Sequence, residues 1–250
     1  MVEPPGQRYE AFGAGYARTR QTEPRIAAHL WRALGGAKSV VNVGAGTGSY
    51  EPPDIEVVAV EPSATMAAQR PAERPALIAP AEDLPLEDSS ADAAMAVITI
   101  HHWTDKARGI AEMRRVARDR VVALTLDASN MEDAWTRNYW PALLETDREF
   151  PAPEAIAAWM GDAEISVVPV PNDCVDLYIE TLRGRPELLL DPRVRANCSG
   201  FARMDPALET AGARRLSLDL ESGAWDRAHT DAREADEFDG GLRLIVGAAG

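Results

Sequence analysis

The chain is poor in cysteine, in positive charge and in long apolar runs. Its 250 residues hold two cysteines, Cys174 and Cys198. Their separation fits no metal-binding spacing. Both are expected as reduced thiols in helical segments, as in a chain kept in a reducing compartment. Lys and Arg number 26 against 40 Asp and Glu, a formal net charge of −14 at pH 7. Duplex DNA or RNA needs clustered cations, so a nucleic-acid partner is not expected. No stretch reaches the roughly 18 apolar residues of a membrane span. The first twenty residues lack the apolar centre of a signal peptide, so a cytoplasmic protein without a membrane partner is the expectation. Internal repeats and low-complexity segments are absent too. What is present is an ordinary globular balance, 46% hydrophobic and 26% charged, enough for one large α/β domain with an inserted cap.

Read in order, residues 1–38 form an arm and a helix. The arm carries Tyr9, Phe12, Tyr16, Arg18 and Arg20, either packed on the sheet or closing over a site as a lid. Ile26, Leu30, Ala33 and Leu34 recur at helical spacing, which predicts a helix over Glu23 to Leu34, with Thr22 as N-cap and Gly35-Gly36 as its stop. Strands are predicted at Ser39 to Val43, Ile55 to Val60, Leu77 to Ala79, Ala93 to Ile100 and Val121 to Leu126. A helix capped by Ser63 and one over Lys106 to Arg118 lie between them. This alternation over residues 39–127 means a doubly wound, mostly parallel sheet. Residues 128–238 read as a helical cap: helices over 129–160, Asn172 to Arg183 and Asp205 to Leu220, plus an edge strand over Ile165 to Val170. Asp231 to Asp239 reads as a solvated acidic face. Residues 239–250 supply a terminal strand, Leu242 to Val246.

The centre of the pattern is Gly44-Ala45-Gly46-Thr47-Gly48, directly after the first strand. Glycine permits positive φ and close approach of backbone to a ligand. Ser49-Tyr50 stands where a P-loop needs its lysine, and Ser49 stands where a dinucleotide fingerprint needs its last glycine. Pro52 and Pro53 confine the crossover to the 11 residues Gly44 to Asp54, near the minimum for a parallel connection. Any helix there is a turn or so long, too short to hold a pyrophosphate. Glu61 ends the second strand, at the carboxyl edge where open α/β sheets bind ligands. A carboxylate there can accept both hydroxyls of a ribose.

The segments VNVGAGTG, VVAVEPS, AEDLPLEDSSADAAMAVITIHHWTD and EMRRVARDRVVALT together resemble class I S-adenosylmethionine-dependent methyltransferases. The closest subgroup is the bacterial small-molecule "type 11" kind. The resemblance covers roughly residues 10–127 and the last strand. It implies a Rossmann-like, seven-stranded sheet of order 3-2-1-4-5-7-6 with strand 7, here Leu242 to Val246, antiparallel. It implies S-adenosylmethionine as cofactor and S-adenosylhomocysteine as product, with the methionine part against Gly44, Ala45 and Gly46. The ribose would sit on Glu61, the adenine near Pro62, Ala81 and Glu82, and Thr99 and Ile100 would offer backbone beside the methyl group. Tyr16 and Arg20 would cover the site. Two positions depart from the family pattern: Asn42 and Pro80 stand where acids are usual.

Methyl transfer from a sulfonium is an in-line displacement that asks chiefly for alignment and exclusion of water. A base is needed only where the acceptor must lose a proton. His101 and His102 are the candidates, His101 first because the resemblance puts it nearer the cofactor; the other reading is that they only shape the pocket. Trp103, Trp135, Tyr139 and Tyr178 are the candidate acceptor pocket, with Trp140, Phe150 and Phe201 as further aromatic wall. The acceptor is expected to be a small molecule methylated on O, N or C, and the protein a monomer or homodimer needing no metal. The alternatives are a nicotinamide or flavin oxidoreductase on a related fold, or a relative that binds the cofactor without methylating.

Overall fold

The structure, a computed structural model, describes residues 20–132, 134–161, 163–196 and 198–250. Its frame is a seven-stranded sheet: β1 (Ser39–Val43), β2 (Glu56–Val60), β3 (Ala76–Leu77), β4 (Ala91–Val97), β5 (Ala117–Leu126), β6 (Glu164–Val167) and β9 (Leu242–Ala248). The spatial order is β3-β2-β1-β4-β5-β9-β6. β3 through β5 run parallel, and β9 is antiparallel to both β5 and β6. This is the expected order, with β9 as the seventh strand. A small ribbon, β7 (Val170–Pro171) with β8 (Glu237–Phe238), lies outside the sheet.

The near-continuous apolar strands are explained by burial on both faces. Val41 and Val43 enter one core and Val40 the other. On the first face, helix α3 (Lys106–Val116), which follows the one-turn α2 (Ala64–Ala67), sets Ile110, Met113 and Val116 against the sheet. On the second, helix α1 (Pro24–Ala33) inserts Ile26, Ala27 and Leu30. Full burial of each such Ile or Leu is worth roughly 1.5–3 kcal/mol. A third core sits in the insertion between β5 and β9, around Trp140, Leu182, Leu216 and Trp225.

Several local expectations are corrected by tertiary contacts. Thr22 does not cap α1: its hydroxyl accepts from Tyr50 N, and Glu23 is the N-cap. The crossover after β1 holds turns only, with no helix. β4 ends at Val97 because Ile98 has φ +48°, and Ile100–His102 is a single 3-10 turn. No helix spans Asn172 to Arg183. Its polar groups are taken by distant partners instead: Val175 N donates to Glu23, the Asn172 amide to Ala232 O, and Asp176 accepts from Tyr50. Only Ile179–Thr181 makes a 3-10 turn. The acidic stretch near residue 237 is not wholly solvated, since β8 buries Phe238. Cys174 lies in a turn and Cys198 before a short helix rather than within helices. Both are buried and unbridged, and burial pushes each thiol up to about 12. Among the described residues no helix is long and apolar enough to cross a membrane, and no group of three or more His, Cys, Asp or Glu could hold a metal ion.

Candidate active site

At the carboxyl ends of β1, β2 and β4 the chain opens a cleft of ≈ 880 Å³, its mouth included. The glycine loop forms one wall. Gly44 has φ +71°, and a Cβ on it would lie 2.2 Å from Thr99 Oγ1. The Gly44 and Ala45 amides both donate to Val60 O, at 2.8 and 3.0 Å, which ties the loop to the end of β2. Glu61 completes that corner. Its Oε2 accepts from Gly46 N and its Oε1 from Ser63 N, each at 2.8 Å. The carboxylate is buried, and burial pushes it above the usual carboxylate range despite these amides and Arg70. A carboxylate oxygen has lone pairs beyond one amide, so Glu61 retains acceptor capacity on the cleft.

The missing helix is replaced by a buried ion pair. Arg70 NH2 donates to Glu51 Oε1 and Oε2 at 2.8 and 3.0 Å, and Arg70 NH1 reaches Gly46 O at 3.4 Å. Asn42 Nδ2 donates to the same Glu51 Oε1 at 3.0 Å, which leaves Asn42 Oδ1 buried on the cleft wall without a partner among the described residues. Glu51 thus brings an acid to the place where β1 carries an amide. Tyr50, at φ +66°, closes the loop: it is buried and its hydroxyl donates to Asp176 at 2.9 Å.

At the opposite end lie Pro62, Ala81, Glu82 and Trp103. Glu82 Oε1 accepts from Thr104 N and Asp105 N, at 2.7 and 3.0 Å, so it helps start α3; its Oε2 is buried without a partner. Trp103 packs on Gly109, where a Cβ would fall 2.4 Å from the indole. It therefore walls the Ala81–Glu82 end of the cleft and does not line the neighbouring cavity.

A second cavity, ≈ 570 Å³ with its mouth, adjoins the cleft. Arg20, Ile98 and His102 line both. The positive φ of Ile98 is the cause: a β-branched residue rarely adopts it, and here it turns the chain after β4 so that Thr99 and His102 face the cleft. His101 faces the second cavity instead, stacked on Phe150 with ring centroids 3.9 Å apart. The order of the two histidines is thus the reverse of the expectation. Ile100 is a core side chain and does not line the cleft. Arg20 is held by Asp176, Nε to Oδ1 at 2.7 Å, and lies over the Tyr178 ring. Tyr16 falls outside the described residues.

Tyr178 does line the second cavity; Trp135 and Tyr139 do not. Trp135 packs edge-on against Trp225 and donates its indole N–H to Arg183 O, and Tyr139 donates its hydroxyl to Asp219. Both belong to the cap core, as do Trp140 and Phe201. The second cavity also has members that periodicity did not mark. Asp147 takes two bonds from Arg137, at 2.9 and 2.8 Å, and Glu180 takes one at 3.1 Å. Burial outweighs Arg137 and, with Glu180 beside it, pushes Asp147 up to about 6. Arg70, Ile98, Asp147 and Asp176 carried no motif; only the positive φ and the burial of charge mark them.

The methyltransferase domain family matches residues 41–125. Uncharacterized methyltransferases of Mycobacterium tuberculosis and Mycobacterium bovis are 40% identical over 115 residues, covering 43% of this chain and 46% of theirs. The matched stretch thus spans about half the length of those curated relatives. A solved protein of Anabaena variabilis, assigned as a methyltransferase from an antibiotic biosynthesis pathway, is 30% identical with a TM-score of 0.87. That match covers 92% of this chain and 99% of that one. The geranyl diphosphate C-methyltransferase of Streptomyces coelicolor, solved with S-adenosylhomocysteine, shares the fold at 14% identity and TM-score 0.52, over 90% of this chain and 78% of its own. A glycine loop beside a buried strand-end carboxylate, on a sheet with this strand order, agrees with a relative matched over nearly its whole length: the chain belongs to the class I S-adenosylmethionine-dependent methyltransferases, of the type 11 kind.

Proposed function

We propose that this chain transfers a methyl group from S-adenosylmethionine to a small-molecule acceptor held in the second cavity. The observation that carries the reading is Glu61, a buried carboxylate fixed by two backbone amides beside Gly46, on the cleft. The residues present fit such a cofactor. A Cβ at Gly46 would meet nothing closer than Met66 Cε at 3.6 Å, so the loop leaves room at its apex. Asn42 Oδ1 and Glu82 Oε2, buried acceptors without partners among the described residues, belong to side chains that line the cleft. They suit an ammonium at the glycine end and an exocyclic amine at the Trp103 end. A dinucleotide is disfavoured because no helix N-terminus follows the loop to receive a pyrophosphate.

When bound, the cofactor supplies an electrophilic methyl on sulfur and a neutral thioether leaving group. Glu61 would hold the ribose, Ala81 and Trp103 the adenine, and Gly44 to Gly46 the methionine part. Arg20, Ile98 and His102, shared by both cavities, would form the passage between donor and acceptor and exclude water there. His102, not His101, is the candidate base, because it alone of the two borders the cleft. His101 would orient the acceptor through its stack with Phe150.

Thermal shift with S-adenosylhomocysteine, NAD and FAD tests the cofactor. Stabilisation by the first alone is expected, and stabilisation by a dinucleotide alone overturns it. For the base, His102→Ala is expected to lower single-turnover methylation on the order of 100-fold or more, with S-adenosylhomocysteine affinity kept. His101→Ala is expected to act mainly on acceptor KM. Full turnover in His102→Ala removes the base assignment.

A further inference from the structure

We propose that the second cavity selects a small amine with a flat apolar body, bound as its ammonium ion and methylated on nitrogen. This rests on the methyl-transfer reading and names the acceptor class for the same site.

The cavity has one flat wall and one anionic wall. The flat wall is the His101–Phe150 stack, with rings 24° from coplanar. The anionic wall is Asp147 and Glu180, with side chains 9% and 11% exposed. A single guanidinium, Arg137, serves both, so among the described residues one negative charge has no partner guanidinium or ammonium. Among the described residues the guanidinium that lines the cavity is Arg20, and it is bonded through two nitrogens to the fully buried Asp176. That pair cancels and leaves the excess of one carboxylate. An acceptor bearing a carboxylate or phosphate would meet this wall with both guanidinium groups engaged, whereas an ammonium would supply the missing charge.

The second, independent observation is the Tyr178 hydroxyl. Tyr178 lines the cavity at 5% exposure, and its hydroxyl has no hydrogen-bond partner among the described residues. A buried hydroxyl without a partner is costly. Its ring is fixed under Arg20, 4.8 Å from the guanidinium carbon. A ligand N–H would satisfy it as an acceptor. Buried polar groups that a ligand must satisfy discriminate more strongly than apolar fit.

The chemistry balances without another reactant. The ammonium gives a proton to an imidazole nitrogen of His102. The freed lone pair on nitrogen forms the bond to the methyl carbon, the carbon–sulfur bond breaks, and its pair stays on sulfur as the thioether. The positive charge of the sulfonium ends on the methylated ammonium, and His102 releases its proton to solvent.

The test uses the full chain saturated with S-adenosylhomocysteine, titrated by calorimetry with benzylamine, benzyl alcohol and benzoate, probes of one size that differ in charge. Benzylamine is expected to bind at least about tenfold tighter than the alcohol, with benzoate weakest, and Glu180→Gln to remove most of that preference. If Glu180→Gln does not fold, Tyr178→Phe serves instead: benzylamine affinity is expected to fall several-fold with S-adenosylhomocysteine affinity unchanged. If S-adenosylhomocysteine binds but the ranking is flat, benzoate leads, or no probe binds, the amine assignment falls alone. If S-adenosylhomocysteine itself does not bind, the cofactor reading falls and takes this proposal with it. If Glu180→Gln weakens S-adenosylmethionine relative to S-adenosylhomocysteine and leaves the amine preference intact, the carboxylates serve the sulfonium and the proposal is overturned.

Discussion

The cleft and the cap are built by opposite means. The cleft is shaped by backbone: glycines at positive φ, loop amides bonded to Val60 O, and a Glu61 carboxylate fixed by two amides. The cap is shaped by side chains: Trp140 donating to Glu209 O, Trp135 on Trp225, and Arg137 shared between two carboxylates. A backbone-built site tolerates little change of sequence where the chain must pass close. A side-chain-built cap can exchange its lining while the frame below stays the same. On the proposed reading, the difference teaches where specificity can vary: above Ile98, where the second cavity begins, and not at the glycine loop.

Cutting a cap anchor tests whether the two halves are energetically separate. Trp140→Ala removes a fully buried indole packed against Gly212 and Phe201. It is expected to cost about 3–5 kcal/mol in denaturant unfolding. If the halves are separate, S-adenosylhomocysteine affinity of the folded protein stays within about threefold, roughly 0.7 kcal/mol; a larger loss breaks the comparison.

Two carboxylates sharpen it by titrating in opposite senses. Asp147 in the cap is raised from 3.8 to about 6 by burial. The folded state therefore holds its proton longer than the unfolded state, and stability falls as pH rises from about 4 to 6, by up to about 3 kcal/mol. Glu112 in the core frame is held below its usual range by Arg115 and by Leu84 N, against some burial. Its contribution is present above the unfolded value and lost as pH falls through the folded one. Unfolding of wild type against Asp147→Asn and Glu112→Gln across pH 3.5–7 checks this. Differences that run the same way with pH for both variants contradict the assignment.

The smallest effect in energy falls on the cleft. Glu61→Ala is expected to weaken S-adenosylhomocysteine about 100-fold, close to 2.7 kcal/mol, with a change in unfolding free energy smaller than that of Trp140→Ala. Binding as tight as wild type would remove Glu61 from the ribose.

What the sequence disclosed follows the same division. Val40, Val41 and Val43, the glycine loop and Glu61 act through local rules of strand burial, positive φ and strand-end position, so they could be read residue by residue. The strand order came with the family resemblance and is confirmed by the pairing of β9 with β5. The cap was legible only as helical and aromatic. Trp135 and Tyr139 look like pocket residues by type, and only their partners, Arg183 O and Asp219, place them in a core. Asn172 to Arg183 has helical composition, yet Asp176 and Asn172 are claimed by groups far away in the chain. The placement of His102 on the cleft and of His101 on the second cavity alone follows the turn at Ile98, with its positive φ, a single backbone angle that no side-chain pattern announces.

Asp176 carries a last consequence. This one buried carboxylate receives the Tyr50 hydroxyl from the glycine loop and the Arg20 guanidinium from the segment before α1, and it belongs itself to the cap. The glycine loop, Arg20 and the cap cannot part there without stranding a charge. Asp176 therefore couples the three in local unfolding, since opening any one of them breaks a bond to the same buried carboxylate.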